Sequence, residues 1–339
     1  MISFSDNIKY VLIFKNKIFP YFEHNKKSNV DFYIVRGNKL IVNQFKVKKA
    51  IKIIDPDIVY FPAFPPSLLL SKSKKRKIII MIHDLVAWDC PKTMKFKSKL
   101  LFKFGIKHGL RISDVITTNS LFTKKRIIDK FSTKKPIIVV PCGADEKASN
   151  ISFDTIKNEL MLPDNYFLAL GTLEPRKNFV GLLQYYQKAC EIYELPKLVI
   201  VGRKGWKTDD ILDKFENIKS KIIFTGFVKD EYLTEIYSNS IAFIFSSIYE
   251  GFGIPVLEAV TYNSIPIVSR IPTNIELLGN DYKYVFDFNE ESFCKIISSF
   301  MNASNKSKDI LISNLKDRIK KYSWKNNAIE LYNVINNIK

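Results

Sequence analysis

No stretch of this chain is both apolar and long. The most hydrophobic segments, residues 77–83 and 198–202, reach a polar residue or a glycine after a few positions. A helix needs about 20 consecutive apolar residues to cross a bilayer, so no membrane-spanning helix is expected. The first six residues lack the basic segment, apolar run and small-residue cleavage site of a secretion signal. Cysteine is scarce: Cys90, Cys142, Cys190 and Cys294 lie far apart and form no C-x-x-C pair. That argues against a zinc site and a disulfide framework, and for a reducing, cytoplasmic setting. Acidic residues are in deficit, 34 Asp and Glu against 53 Lys and Arg, for a formal net charge of +19. Such an excess biases the chain toward nucleic acid, anionic lipid or phosphorylated small molecules. Part of it is compositional, because Lys, Ile, Asn and Phe are all plentiful, and charge alone does not choose among those partners.

At 339 residues with 46% hydrophobic content, the chain can form two domains, each with its own core. Short β-branched apolar runs alternate with longer amphipathic segments, the pattern of parallel strands joined by helical crossovers. Strands are expected at 32–35, 58–61, 78–82, 115–118 and 137–140, and again at 166–170, 197–201, 222–225, 242–245 and 266–269. Residues 7–19 read as a first helix. The result is an α/β chain of two doubly wound domains, with a boundary in the segment following residue 140. Ligands in such sheets bind beyond the carboxyl ends of the strands, so the loops after strands are where chemistry is to be sought.

Two of those loops carry a constellation. Glu250, Gly251, Phe252, Gly253, Ile254 and Pro255 follow the expected strand 242–245, and Glu258 closes the segment. Proline is favoured in a first helical turn, so a helix starts there between two carboxylates. Gly251 and Gly253 let backbone approach a ligand, and the free N–H groups at a helix start form a seat for a diphosphate. Carboxylates suit hydroxyls of ribose or sugar better than phosphate. The plain alternative is a glycine turn with solvated glutamates. The second loop, from Gly171 to Asn178, follows the strand 166–170 and holds Arg176 and Lys177. A planar fork beside a compact charge can neutralise a pyrophosphate leaving group. On its own, a basic pair in so lysine-rich a chain is more often solvated charge.

Together these motifs resemble those of the retaining glycosyltransferases of family four, the two-domain type similar to glycogen phosphorylase. Their E-x7-E signature falls on Glu250 and Glu258, and their Arg-Lys pair on Arg176 and Lys177. The segment from Gly202 to Trp206 resembles the family's loop after the second strand of the donor domain. Thr225, Gly226, Phe227 and Val228, with Asp230 and Glu231, resemble the segment that holds the nucleotide base. The likeness runs from about residue 56 to 324. It implies the GT-B architecture, two Rossmann-like domains facing a cleft: residues 1–150 on the acceptor side, 151–321 binding the donor, and 322–339 returning as a last helix to the first domain. It also implies that Gly171, Gly202, Gly226, Phe227, Val228, Gly251, Phe252, Gly253, Ile254 and Glu258 line the donor.

His83 and Asp84 follow the strand 78–82. A histidine after a strand is usually structural, but the His-Asp-Leu motif at 83–85 resembles the family's, and by that likeness His83 contacts the hexose or the reacting face while Asp84 orients the loop. His24 and His108 match no motif and read as surface residues. Asp55 and Asp57 have the spacing of a metal-binding D-x-D, yet they precede a strand and read as a helix stop. No metal or other cofactor is expected, since Arg176, Lys177 and a helix start already supply positive charge. Lys95, Lys99, Lys103, Lys107 and Arg111 recur every four residues, with Phe96, Leu100, Leu101 and Phe104 beside them. A basic flank along an apolar stripe suits a helix on an anionic membrane surface, and equally a core-facing helix with a solvated face. One departure from the family pattern stands out: the first strand and its glycine-rich loop are not visible near residue 1.

The resemblance implies retaining transfer of a hexose from a nucleotide-diphosphate sugar to a saccharide or lipid-linked acceptor, in O-antigen or capsule synthesis at the inner face of the membrane. Mannose from GDP-mannose is the first expectation. Two rivals remain, a nucleotide-sugar epimerase of the same fold and a basic nucleic-acid-binding protein, although the aromatic-interleaved basic motifs of the latter are not apparent.

Overall fold

A computed structural model describes residues 7–38, 42–63, 65–203 and 212–338. The chain divides into two compact units, one of Met1–Pro141 with Lys325–Lys339, the other of Cys142–Trp324.

The first unit runs β1 (Tyr10–Lys15), α1 (Pro20–His24), β2 (Val30–Val35), α2 (Val47–Ile54), β3 (Ile58–Phe61), β4 (Lys77–Ile82), α3 (Val86–Asp89), α4 (Phe96–Ile112), β5 (Val115–Thr118), α5 (Leu121–Phe131) and β6 (Ile137–Val139). Strands β3, β4, β5 and β6 form one parallel sheet in that order. β1 pairs in parallel with β2 from Tyr10 opposite Val30 to Lys15 opposite Val35. This corrects two expectations. Residues 7–19 are not a helix, and the strand taken to be absent is β1. The turn after it, from Asn16 to Phe19, contains no glycine. Asn16 takes the left-handed conformation there (φ 67°), a role asparagine tolerates better than most residues, and its side-chain oxygen accepts from the Gly37 N–H at 2.9 Å.

α2 ends where Asp55 turns left-handed (φ 45°), and Pro56 then prevents the helix from continuing. The D-x-D pair is therefore a helix stop, and Asp55 is engaged by Arg76 at 2.7 Å. α4 buries Gly105, Ile106, Gly109, Leu110 and Ile112. Gly105 and Gly109 are needed for this close packing: a Cβ on Gly105 would lie 2.6 Å from Pro65, and one on Gly109 3.1 Å from both Ile80 and Pro66. Lys135 secures the helix end, its amine donating to the carbonyls of Leu110, Arg111 (2.8 Å) and Ser113. Phe96, Leu100, Leu101 and Phe104 are exposed, which overturns the reading of that stripe as core-facing. His108 is not a plain surface residue either; half-buried, it donates from Nε2 to the Leu70 carbonyl at 2.9 Å. α13 (Trp324–Asn337) also belongs here, and its Leu331, Val334 and Ile335 pack with Ile79, Val115 and Val140.

The second unit contains α6 (Phe153–Leu160), β7 (Tyr166–Leu170), α7 (Phe179–Ile192), β8 (Lys197–Val201), β9 (Ile222–Gly226), α8 (Asp230–Ser238), β10 (Ala242–Phe245), α9 (Ile254–Thr261), β11 (Pro266–Ser269), α10 (Pro272–Leu278), β12 (Val285–Phe286), α11 (Glu290–Met301) and α12 (Asn305–Ile319). Its sheet is parallel throughout, in the order β12-β11-β10-β7-β8-β9. The central strands are buried on both faces, and they read as unbroken apolar runs because parallel sheets are covered on both sides. Helix starts are marked by side-chain caps: Ser152 accepts from Thr155 N–H, Asn289 from Ser292 and Ser304 from Ser307. Among the described residues no helix is long and apolar enough to cross a membrane.

Candidate active site

A doubly wound sheet opens a ligand crevice where the strand order reverses, beyond the carboxyl ends of the strands. In the second unit that reversal lies between β7 and β10. The two motif loops leave those two strands, and this brings together residues that are 74 positions apart in the sequence. Arg176 and Lys177 share a single tight turn, Pro175–Lys177, closed by Asn178 in the left-handed conformation (φ 56°). The turn is latched to the β10 exit, Ile248 N–H donating to the Arg176 carbonyl at 2.9 Å and Ser246 Oγ to the Lys177 carbonyl at 2.9 Å.

From sequence, the two cations suit a diphosphate and the carboxylates suit hydroxyls of ribose or sugar. The structure joins them. Glu250 is only 8% exposed; its Oε2 accepts from Arg176 at 2.5 Å and its Oε1 from Lys177 at 2.7 Å. Arg176 also bonds Glu174 at 2.8 Å and the Tyr249 carbonyl at 3.2 Å. Burial pushes the Glu250 carboxyl up, but the charges of Lys177 and Arg176 outweigh it and hold the group below the usual range. Its contribution to stability is therefore present above the unfolded pKa of about 4.3 and is lost as pH falls through the lower folded value. Two cations and two carboxylates hold one another in fixed geometry at the switch point.

Beneath this network the chain enters α9. Gly253 caps the helix at φ 117°, a backbone conformation that disfavours any side chain, and Pro255 is the second helical residue. The first N–H groups of a helix have no intrahelical acceptor and, with the positive end of the dipole, form an anion seat. Phe252 and Val228 are corrected in one respect. Both side chains are buried in the core, Phe252 against the Tyr322 ring at 5.6 Å, so a ligand could meet them only through backbone. Ile254 is half-buried.

Glu258 lies one turn into α9 and is half-buried. The Tyr237 hydroxyl, from α8, donates to its Oε2 at 3.3 Å. Burial raises the Glu258 pKa, opposed by the Tyr237 bond, with Asp230 raising it and Lys147 lowering it further out. Tyr237 was not singled out from sequence. It looks like an ordinary core residue of an amphipathic helix, and only the need of a buried hydroxyl for a partner hinted otherwise.

Three strand exits meet backbone to backbone. Gly171 N–H donates to the Val201 carbonyl and Gly202 N–H to the Gly226 carbonyl, each at 2.9 Å. Phe227 then projects into solvent with the Arg203 guanidinium 4.1 Å above its ring. The remainder of the loop after β8, including Trp206, lies outside the described residues.

In the first unit, His83 directly follows β4 and is half-buried. Its Nε2 donates to the Pro62 carbonyl at 2.7 Å, and the His83 carbonyl accepts from Thr123 Oγ1 at 3.3 Å. Asp84 Oδ1 accepts from Val86 N–H at 3.0 Å, tying the loop to the start of α3. A hollow open to solvent lies here between Ile82, His83, Asp84, Phe102, Gly105 and Gly109. Among the described residues no cluster of His, Cys, Asp and Glu is arranged to hold a metal ion.

Comparison with known proteins gives this geometry a family. Residues 152–322 match the model described as Glycosyl transferases group 1, and residues 16–148 the model described as Glycosyltransferase Family 4. The O-antigen chain mannosyltransferase B of Escherichia coli is 27% identical over 267 residues, 76% of this chain and 69% of that protein. The O-antigen chain mannosyltransferase RfbU of Salmonella typhimurium is 29% identical over 226 residues, 66% of this chain and 61% of that protein. Among solved structures, HepE of Anabaena, determined with UDP and glucose, superposes with a TM-score of 0.73 at 12% identity, covering 98% of this chain and 99% of that one. Sucrose-phosphate synthase of Thermosynechococcus elongatus does so with a TM-score of 0.70 at 16% identity, covering 90% and 80%. These likenesses establish the GT-B fold of two parallel-sheet Rossmann-like domains. Matched in both halves, the chain belongs to glycosyltransferase family 4, the retaining glycosyltransferases that take their sugar from a nucleotide-sugar donor.

Proposed function

We propose that this glycosyltransferase moves mannose from GDP-mannose to a saccharide acceptor, lipid-linked and at the cytoplasmic face of the membrane, in the building of a surface polysaccharide. The observation that carries the donor site is the meeting of Arg176, Lys177 and Glu250 at the switch point above the start of α9. Support for mannose comes from the names of the two relatives, both O-antigen mannosyltransferases. The diphosphate sits on the N–H groups at Gly253 and Ile254, with Arg176 and Lys177 neutralising the charge that builds on it as the glycosidic bond breaks. Glu250 holds both cations in place and presents its carboxylate toward the sugar hydroxyls. Glu258 accepts from the ribose. Gly171, Gly202 and Gly226 keep the backbone close to the donor, Gly251 does the same before α9, and Phe227 offers its face to the base. His83 is the first unit's candidate for substrate contact.

A thermal-shift screen of GDP, UDP, ADP and dTDP and their hexose conjugates tests this. A ligand at 100 times its dissociation constant adds about 2.7 kcal/mol of stability. GDP and GDP-mannose are expected to raise the midpoint, and Arg176→Ala and Glu258→Ala to abolish the response. A response confined to another base sinks the GDP-mannose reading, and silence toward every nucleotide sinks the donor site.

Two further outcomes follow from the same residues. The ribose hydroxyls need an ionised Glu258, and its pKa is raised. Donor affinity should therefore fall on acidification at a higher pH than an ordinary carboxylate, at about 4.3, would allow, and the Glu258→Gln variant should lose this dependence in a titration of GDP binding. Stacking of a base on an aromatic ring contributes about 1–3 kcal/mol, so Phe227→Ala should weaken GDP binding by about tenfold or more, read by calorimetry.

A further inference from the structure

The outward face of α4 has an unusual make-up for a surface helix. Phe96 is 67% exposed, Leu100 38%, Leu101 45% and Phe104 60%, and none of the four is needed for the core, which the helix reaches through Gly105, Ile106, Gly109, Leu110 and Ile112. At 100° per residue, Phe96, Leu100, Phe104, Lys107 and Arg111 fall on one side of the helix, flanked by Lys97 and Leu101. From Phe96 to Ile112 there is no Asp or Glu. Lys95, Lys97, Lys107 and Arg111 are exposed. Lys99 and Lys103 are half-buried at the margin, their amines lying over the rings of Phe96 (5.2 Å) and Trp88 (5.7 Å). The acids on either side are engaged elsewhere, Asp89 with Arg126 and Asp114 with Lys72.

We infer that this face docks the first unit onto an anionic lipid bilayer. Phe96, Leu100, Leu101 and Phe104 enter the headgroup boundary while Lys95, Lys97, Lys107 and Arg111 meet the phosphates. Large apolar side chains set among cations and no acids are complementary to a surface that is apolar inside and negative outside. A partner protein with an acidic rim would leave four bulky apolar groups to be matched by an equal apolar patch, for which nothing else about the helix argues. The opposite side of α4 contributes Phe102, Gly105 and Gly109 to the hollow at His83. A helix with its side chains is about 10–12 Å across, so a bilayer on the outer face would hold the head of a lipid-linked substrate about one helix diameter from His83. That last consequence rests on the proposed lipid-linked acceptor; the docking itself does not.

The test is co-sedimentation of the whole chain with vesicles of phosphatidylcholine alone and of phosphatidylcholine mixed with phosphatidylglycerol. The wild type is expected to sediment with the mixed vesicles, and less so as salt is raised. Lys97→Glu with Lys107→Glu should reduce partition by about fivefold for each cation withdrawn, and further for each acid introduced. Phe96→Ser with Phe104→Ser should reduce it about tenfold or more at every salt concentration. All four positions are solvent-facing, and an unchanged thermal midpoint would show that each variant is folded. Wild type remaining in the supernatant with mixed vesicles would overturn the inference, as would either double variant sedimenting like wild type. A dimer seen by size exclusion and abolished by Phe96→Ser with Phe104→Ser, in a chain that ignores vesicles, would overturn it in favour of a second copy as the occupant. Sedimentation needs neither donor nor acceptor, so its failure is separate from failure of the mannosyl-transfer reading.

Discussion

Lys177→Ala is expected to lower turnover by about 10²-fold or more, measured as the initial rate of nucleoside diphosphate release at saturating donor. The size follows from the loss of a preorganised charge donor at a site where negative charge develops in the transition state. Arg176→Ala should behave alike. Each substitution also removes one of the two cations that neutralise buried Glu250. Stripping a buried ion pair of one partner costs about 3–5 kcal/mol when no other compensates. Here the second cation remains, so a smaller fall in thermal midpoint is expected. Combining Lys177→Ala with Glu250→Gln separates the two effects. The neutral amide removes the uncompensated charge, so stability should recover toward that of Glu250→Gln alone while turnover stays low. Recovery of turnover together with stability would mean that Lys177 acts only as a counter-ion. Turnover within a few fold of wild type for both single variants would remove leaving-group stabilisation by these cations from the mechanism.

Gly202→Ala should be severely damaging for the addition of a single methyl. A Cβ at that position would lie 1.9 Å from the Gly171 carbonyl oxygen. That acceptor is backbone at the end of β7, and it can yield only if the β7 and β8 exits part. Parting them breaks the Gly171–Val201 and Gly202–Gly226 bonds that align the three loops. A loss above about 4 kcal/mol, the range reserved for backbone clashes and core disruption, is expected in chemical denaturation, together with loss of any nucleotide-induced shift. Gly226→Ala is the informative contrast. No atom lies within 4 Å of its Cβ position, and only the left-handed backbone (φ 73°) opposes a side chain, at about 1–2 kcal/mol. Equal destabilisation by the two would mean that the crowding at Gly202 relaxes freely.

What the sequence showed well were the buried parallel strands. β3, β5, β7, β8, β10 and β11 span the residues that their apolar, β-branched runs mark out, most sharply in β7 and β10, where the run is apolar throughout and all but one position is buried. β1 failed for a related reason. Its run Tyr-Val-Leu-Ile-Phe is short, apolar and flanked by lysines, and without alternation its period does not separate strand from buried helix. β12, with two residues, offers no pattern at all. In the candidate site, the residue types and loops were legible, but the pairing of Arg176 and Lys177 with Glu250 was not. It depends on β7 lying beside β10, and that adjacency is written in sheet order rather than in either motif. The basic helix shows the limit of periodicity most clearly. A stripe of apolar residues marks a face of α4, and only the packing of Gly105 and Gly109 against Pro65 and Pro66 decides that this face points outward.

The return of α13 to the first unit bears on the order in which the protein takes shape during synthesis. Ile79, Val115 and Val140 have left the ribosome long before Leu331, Val334 and Ile335, which complete their cluster, and the whole of the second unit is made in between. The second unit is continuous in sequence and can close as soon as it emerges. The first must wait with an apolar sheet face uncovered, a window in which a nascent chain is prone to association. Of the two units, the one made first is therefore the one that finishes last.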